Sequence, residues 1–111
     1  MTLLDDASWQ GKVFSDGWTT SSGGDAPVRE PATGEELGRT GIGDAADVDR
    51  AVRSALRAQT AWAATGFEER AAVLRAAGRV FEDQAASLRD WIVRETGGIA
   101  PKADLELHIA V

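Results

Sequence analysis

The strongest constraint on how this chain folds is a change of pattern near residue 44. Ahead of it the chain is rich in Gly, Thr, Ser and Pro; behind it Ala, Arg, Glu and Leu dominate. The first composition suits short strands joined by tight turns. The second suits helices, because Ala and unbranched side chains lose little freedom there. The expected class is therefore α/β: short antiparallel strands over about 10–42, then three to four amphipathic helices over about 44–111.

The turn residues locate the strands. Lys12-Val13-Phe14-Ser15 and Trp18-Thr19-Thr20 flank Asp16-Gly17, a dipeptide suited to a hairpin because Gly accepts positive φ. Ser21 to Asp25 reads as a flexible connection. Val28-Arg29-Glu30 then enters the turn Pro31-Ala32-Thr33-Gly34, and Glu36 to Ile42 runs back as a partner strand. Pro31 lacks an N–H and marks an edge or a strand end.

Capping residues locate the helices. Asp44 is suited to an N-cap, with Asp47 three residues on. Val48, Ala51, Val52, Ala55, Leu56 and Trp62 then recur as one apolar stripe. Thr65-Gly66-Phe67-Glu68 has the spacing of a capping box. Phe67, Ala71, Leu74, Ala77 or Gly78, and Phe81 form the next stripe. A third helix carries Leu88, Trp91 and Ile92 and should stop at Gly97-Gly98, where Gly takes the left-handed conformation. Pro101 fits a first helical position, followed by Leu105, His108 and Ile109. No C-cap follows, so this reads as the N-terminal piece of a larger α/β protein that stops inside a helix.

Composition excludes several function classes. The apolar share of 43% is that of a globular chain rather than a disordered tail. Much of it is Ala, which buries little area, so support from a neighbour or an oligomer partner is expected. A net charge of −6 argues against a nucleic-acid surface. Ten of the twelve cations are Arg, and the helical ones read as solvated faces with Asp49–Arg53 and Asp90–Arg94 at i,i+4 spacing. The absence of cysteine removes disulfides, thiolate zinc sites and thiolate nucleophiles from this chain, and fits a cytoplasmic protein. Met1 to Asp6 lacks the basic flank and apolar core of a secretion signal. No apolar run approaches the ~20 residues of a membrane span.

Four groups of residues invite a chemical role. Gly41-Ile42-Gly43-Asp44-Ala45-Ala46 matches a dinucleotide fingerprint, G-x-G-x-x-A. Two points count against it. The preceding Glu35 to Thr40 reads as a half-exposed strand, whereas a fingerprint follows a buried apolar one. Asp44 would also place a carboxylate where a pyrophosphate should sit. His108 is the only histidine; with Asp104 at i−4 it offers at most two metal ligands, and a surface or interface role is expected. No Ser stands in a Gly-x-Ser-x-Gly elbow that would draw His108 into a triad. Glu35-Glu36 and Glu68-Glu69 are sequence neighbours that point different ways, which does not make an acid/base couple. Trp9, Trp18, Trp62 and Trp91 lack interleaved basic residues, so packing is expected rather than base stacking. These readings leave no catalytic, cofactor-binding or metal residue assigned. A non-catalytic helical scaffold or interaction module is the alternative class.

The order of motifs resembles a known family. Gly11-Lys12-Val13-Phe14, Pro31-Ala32-Thr33-Gly34-Glu35, Asp47-Val48-Asp49-Arg50-Ala51-Val52, Glu69-Arg70-Ala71-Ala72-Val73-Leu74-Arg75 and Glu95-Thr96-Gly97 occur in sequence, with Pro101 shortly after. This resembles the N-terminal portion of the NAD(P)-dependent aldehyde dehydrogenase superfamily, over roughly residues 9 to 111. Glu30 before Pro31, where the family usually has Asn, and the Glu95 to Lys102 segment resemble the bacterial benzaldehyde dehydrogenases. The resemblance implies that residues 1–111 are an incomplete segment of one dehydrogenase domain. It implies aldehyde oxidation, of an aromatic aldehyde on the benzaldehyde dehydrogenase resemblance, through a catalytic Cys, with hydride passing to NAD or NADP and a Glu activating water. It places those residues and the main cofactor contacts outside this chain, which is expected to be inactive and to bind no cofactor by itself. The implied partners are the remainder of the enzyme or other subunits of a homo-oligomer, with no nucleic acid and no membrane. It also implies a monovalent cation near the Pro31 turn, with Val28 and Glu95 as rough counterparts.

Overall fold

The computed structural model describes residues 5–111; Met1 to Leu4, part of the secretion-signal argument, lie outside them. The element order is α1 (Asp6–Trp9), β1 (Lys12–Phe14), β2 (Trp18–Thr20), β3 (Asp25–Arg29), β4 (Glu36–Gly41), α2 (Ala45–Ala64), α3 (Phe67–Asp83), α4 (Ala85–Thr96) and α5 (Ala100–Ala110). The expected α/β class forms, with four strands before residue 44 and four of the expected three to four helices after it; α1, ahead of the strands, is additional. The described residues divide into two compact units: residues 5–28 with 36–65, and residues 29–35 with 66–111.

In the first unit, β1 pairs antiparallel with β2, with Lys12 opposite Thr20 and Phe14 opposite Trp18. Asp16 (φ 57°) and Gly17 (φ 113°) are left-handed in the turn, as that dipeptide predicts. Phe14 and Trp18 stack edge to face at 5.3 Å. β3 pairs with β4. It starts at Asp25, earlier than the loop expected over Ser21 to Asp25, and it runs through Pro27. A two-stranded sheet has only edges, so the missing N–H of Pro27 is tolerated. The short α1, which the sequence patterns did not suggest, starts where Asp5 accepts a hydrogen bond from the Ala7 N–H. It contacts β1 and β4.

The close approach of these pieces depends on two glycines. A Cβ on Gly38 would stand 2.6 Å from the Trp9 ring, and a Cβ on Gly41 would stand 2.6 Å from the backbone of Lys12. The Gly11 N–H donates to the Arg39 carbonyl at 2.9 Å across the same seam.

α2 begins as its cap predicts. The Asp44 carboxylate accepts from the N–H groups of Ala46 and Asp47, and Asp47 accepts in return from the Asp44 N–H. The expected capping box at Thr65 and Glu68 does not form. Thr65 ends α2 instead: its hydroxyl donates to the Ala61 carbonyl at 3.0 Å. Gly66 is the N-cap of α3, without a side-chain hydrogen bond, and Glu68 pairs with Arg75 at 3.7 Å. With the two caps adjacent, the Thr65 hydroxyl is taken by the helix behind it.

In the second unit α3, α4 and α5 contact one another. α4 stops at Gly97, which is left-handed (φ 71°), as the Gly-Gly pair predicts. Gly97→Ala is expected to cost about 1 kcal/mol, because an L side chain resists that φ; a chemical denaturation midpoint measures it. Pro101 occupies the second helical position, after Ala100, rather than the first.

The apolar stripes lie on the helices where expected, but few of them are buried. Val48 is 60% exposed, Leu56 66%, Phe67 70% and Leu74 69%. Among the described residues Ala103 is the buried apolar side chain and Asp47 the buried charged one. No described helix is long and apolar enough to cross a membrane.

Candidate functional site

Three places gather polar or cavity-lining groups, and each tests a residue singled out above. The first is the start of α2, where the Gly41-Ile42-Gly43 motif meets a helix N-terminus. A dinucleotide would need free N–H groups there and glycines opening a path for pyrophosphate. Instead the carboxylates of Asp44 and Asp47 take those N–H groups. Gly41 is small because Lys12 backbone lies against it. The residues do not fit a nicotinamide dinucleotide, and the motif is a strand–helix link.

Asp47 does more than cap. Its carboxylate accepts from the Ser22 N–H at 2.8 Å and the Ser22 hydroxyl at 3.2 Å, and it pairs with Arg50. The backbone N–H of Ser22, then that of Asp44, hold its carboxyl below the usual carboxylate range; the Ser22 hydroxyl and Arg50 add to this against the opposing effect of burial. Sequence patterns gave no sign of the Ser22 contact, which joins residues 25 positions apart.

The second place is the turn after β3. The Glu30 carboxylate accepts from the Thr33 hydroxyl at 2.6 Å. Arg94, on α4, reaches both Glu30 at 3.6 Å and Glu35 at 3.5 Å. The expected Asp90–Arg94 pair is thus replaced by two longer-range ones, while Asp49–Arg53 forms at 2.8 Å. Arg94 extends to the turn because two carboxylates converge there. Glu36 pairs with Arg39 at 3.3 Å, so Glu35 and Glu36 serve different cations and make no acid/base couple. Val28 is half-buried on β3 of the first unit, and Glu95 is exposed on α4 of the second.

The third place is a groove of about 440 Å³ in the second unit, lined by Phe81, Glu82, Ala85, Asp104, Leu107 and His108, with Val111 at its end. His108 is exposed on its rim. Asp104 pairs with Arg89 at 3.5 Å. No cluster of three acidic, histidine or cysteine residues able to hold a metal occurs among the described residues. Packing holds for part of the tryptophans: Trp9 and Trp91 are half-buried and Trp18 (48% exposed) meets Phe14, while Trp62 is 40% exposed.

None of the three places holds a cysteine, and the hydroxyls of Ser22 and Thr33 bind the carboxylates of a helix start and a turn, so the chemistry is not legible from geometry alone. Comparison with known proteins supplies the context. The model of the Aldehyde dehydrogenase family matches residues 18–111. The chain is 54% identical to a vanillin dehydrogenase of Amycolatopsis sp. over 99% of its own length and 23% of the relative's. It is 47% identical to a benzaldehyde dehydrogenase [NAD(+)] of Pseudomonas putida, covering 92% of this chain and 21% of that one. The crystal structure of an NAD-dependent benzaldehyde dehydrogenase from Corynebacterium glutamicum superposes with a TM-score of 0.85 at 26% identity, over 97% of this chain and 23% of that one. The chain thus spans under a quarter of the length of these relatives. Matched along nearly all of its length in sequence and in fold, the chain belongs to the aldehyde dehydrogenase family.

Proposed function

We propose that residues 1–111 are the N-terminal segment of one aldehyde dehydrogenase domain. In its intact form this cytoplasmic enzyme oxidises an aromatic aldehyde to the carboxylic acid, with NAD or NADP as hydride acceptor. The observation that carries the reading is the 54% identity to a vanillin dehydrogenase across 99% of the chain. The benzaldehyde dehydrogenase match supports the same substrate class.

The segment's own work is to frame the subunit. The Asp47–Ser22 contact fixes the loop ahead of β3 to the start of α2, and Arg94 fixes the Glu30 turn to α4. Both tie irregular backbone to a helix. The thiolate that the family chemistry requires is not among these residues, since the chain has no cysteine.

Two assays test the reading. The full-length protein should reduce NAD or NADP with benzaldehyde or vanillin, with kcat/KM at least about tenfold above that for a short aliphatic aldehyde. The 111-residue chain alone should produce no NADH or NADPH. Equal efficiency on the aliphatic aldehyde would remove the aromatic assignment, and turnover by the short chain would remove the supporting role.

The exposed face of α2 at Val48, Val52 and Leu56 favours a second reading, a non-catalytic interaction segment. That reading expects the isolated chain to melt cooperatively and to form a defined oligomer. Concentration-dependent aggregation would count against it.

A further inference from the structure

We propose that a pocket between the first hairpin and α2 binds a phosphate dianion, free or carried as a monoester. The pocket lies within the first unit, apart from the three places described above. It does not depend on the aldehyde assignment.

Helical spacing builds its cationic wall. Arg50, Arg53, Ser54 and Arg57 fall at i, i+3, i+4 and i+7 of α2, which puts all four on one face. Ser15, Asp16 and Thr19 of the hairpin complete the lining. The volume is about 270 Å³. Pockets for drug-sized molecules run from roughly 300 to 1,000 Å³, so a small ion or the head of a larger molecule is the better fit.

The donors are available to a ligand. Arg57 has no ion-pair or hydrogen-bond partner among the described residues. Arg53 engages Asp49 through its Nε at 2.8 Å, and Arg50 engages Asp47 and Ser22 through one terminal nitrogen. A guanidinium carries several N–H donors in a planar fork, so both keep donors for an oxyanion. The Ser15 and Ser54 hydroxyls are half-buried and also lack a partner among the described residues. Thr19 donates to the Val13 carbonyl at 3.4 Å and has no proton left to give. Guanidinium forks and hydroxyls converging from two walls suit a tetrahedral group with three acceptor oxygens better than a planar carboxylate with two. Asp16 is the one acid of the lining and opposes the anion.

The pocket also faces away from the surface that needs covering. With about 3.6 residues per turn, the exposed stripe of Val48, Val52 and Leu56 lies on the opposite side of α2. A neighbour packed on that stripe leaves the arginines open to solvent.

Equilibrium dialysis of the full-length protein against radiolabelled inorganic phosphate, in chloride buffer, tests the proposal. Saturable binding is expected, weakened at least about tenfold by Arg57→Gln, because a charged hydrogen-bond donor is lost. Ser54→Ala should weaken it about threefold. That variant keeps every charge, so a diffuse basic surface would not register it. Asp16→Asn should tighten binding about threefold, because it removes the opposing charge. Arg79→Gln makes an equal change of charge in the second unit and should leave the affinity alone. Absence of saturable binding would overturn the proposal, and so would equal weakening by Arg57→Gln and Arg79→Gln. Parent affinity in both Ser54→Ala and Asp16→Asn would do the same. Glycerol phosphate competing better than unlabelled phosphate would assign the phosphoryl group of a larger ligand, and the reverse order the free ion. Acetate competing as well as either would make this a general anion surface and overturn the phosphate assignment.

Discussion

Gly41→Ala is expected to destabilise the fold by about 2–3 kcal/mol, near the upper end of what one added methyl costs in a tight site. The new Cβ would meet the C and O atoms of Lys12 at 2.6 Å and its N at 3.0 Å. All three are backbone atoms, so no side-chain rotation relieves the clash, and β1 must move from β4. Gly43→Ala supplies the contrast within the same motif. Its nearest neighbours would be the Asp47 Cβ at 3.8 Å and the Val13 Cγ1 at 3.9 Å, both ordinary contacts. It is expected to change stability little. Urea denaturation of the two variants separates the explanations. If the motif were a phosphate-binding fingerprint, both glycines would affect dinucleotide affinity, and Gly41→Ala would leave the midpoint in place. A midpoint unchanged by Gly41→Ala would refute the packing account.

The second large effect is expected at Asp47. Asp47→Ala removes the acceptor for the N–H groups of Ser22 and Asp44 and the partner of Arg50, in a side chain that is only 5% exposed. The freed amides of Ser22 and Asp44 should exchange with solvent at least about tenfold faster, because a hydrogen bond gates each of them. Exchange at α5 should not change. Asp47→Asn keeps an acceptor oxygen and loses the charge, so a smaller acceleration is expected. The pH dependence follows from the direction of the pKa shift. The folded state holds the Asp47 carboxyl below its ordinary value. Its stabilising contribution is therefore complete above the unfolded carboxylate pKa of about 4, and it is lost as pH falls through the lower folded value. Stability measured from neutral pH downward should fall off more steeply below pH ~4 in the parent than in Asp47→Asn. Parallel curves would contradict this assignment.

Much of the local structure was legible in the residues. Asp16-Gly17 marked the first hairpin, Asp44 with Asp47 marked the start of α2, and Gly97 marked the end of α4; the structure shows each of them. These features depend on a few adjacent residues and their backbone angles. The failures were of two kinds. At Thr65 two local preferences competed, and the hydroxyl bonded back to Ala61 rather than forward to Glu68. At Arg94 and Ser22 the partners were distant in sequence, so nothing in spacing pointed to Glu30 or Asp47. Periodicity correctly placed Val48, Val52 and Leu56 on one helix face, but it did not tell whether that face is covered within this chain. The family was legible from the order of short motifs, whereas no catalytic site was, because these residues include no cysteine and the Ser22 and Thr33 hydroxyls serve a helix start and a turn.

The contact between Ser22 and Asp47 also has a bearing on biosynthesis. Its partners are 25 residues apart, so it can close soon after the start of α2 has emerged from the ribosome. Chains grow by about 5–20 residues per second, and early domains begin to fold while later ones are still being made. That closure needs no residue beyond the first turns of α2, so it can form while the rest of this segment is still being made. The early closure sets the start of the helix before α3, α4 and α5 have been translated.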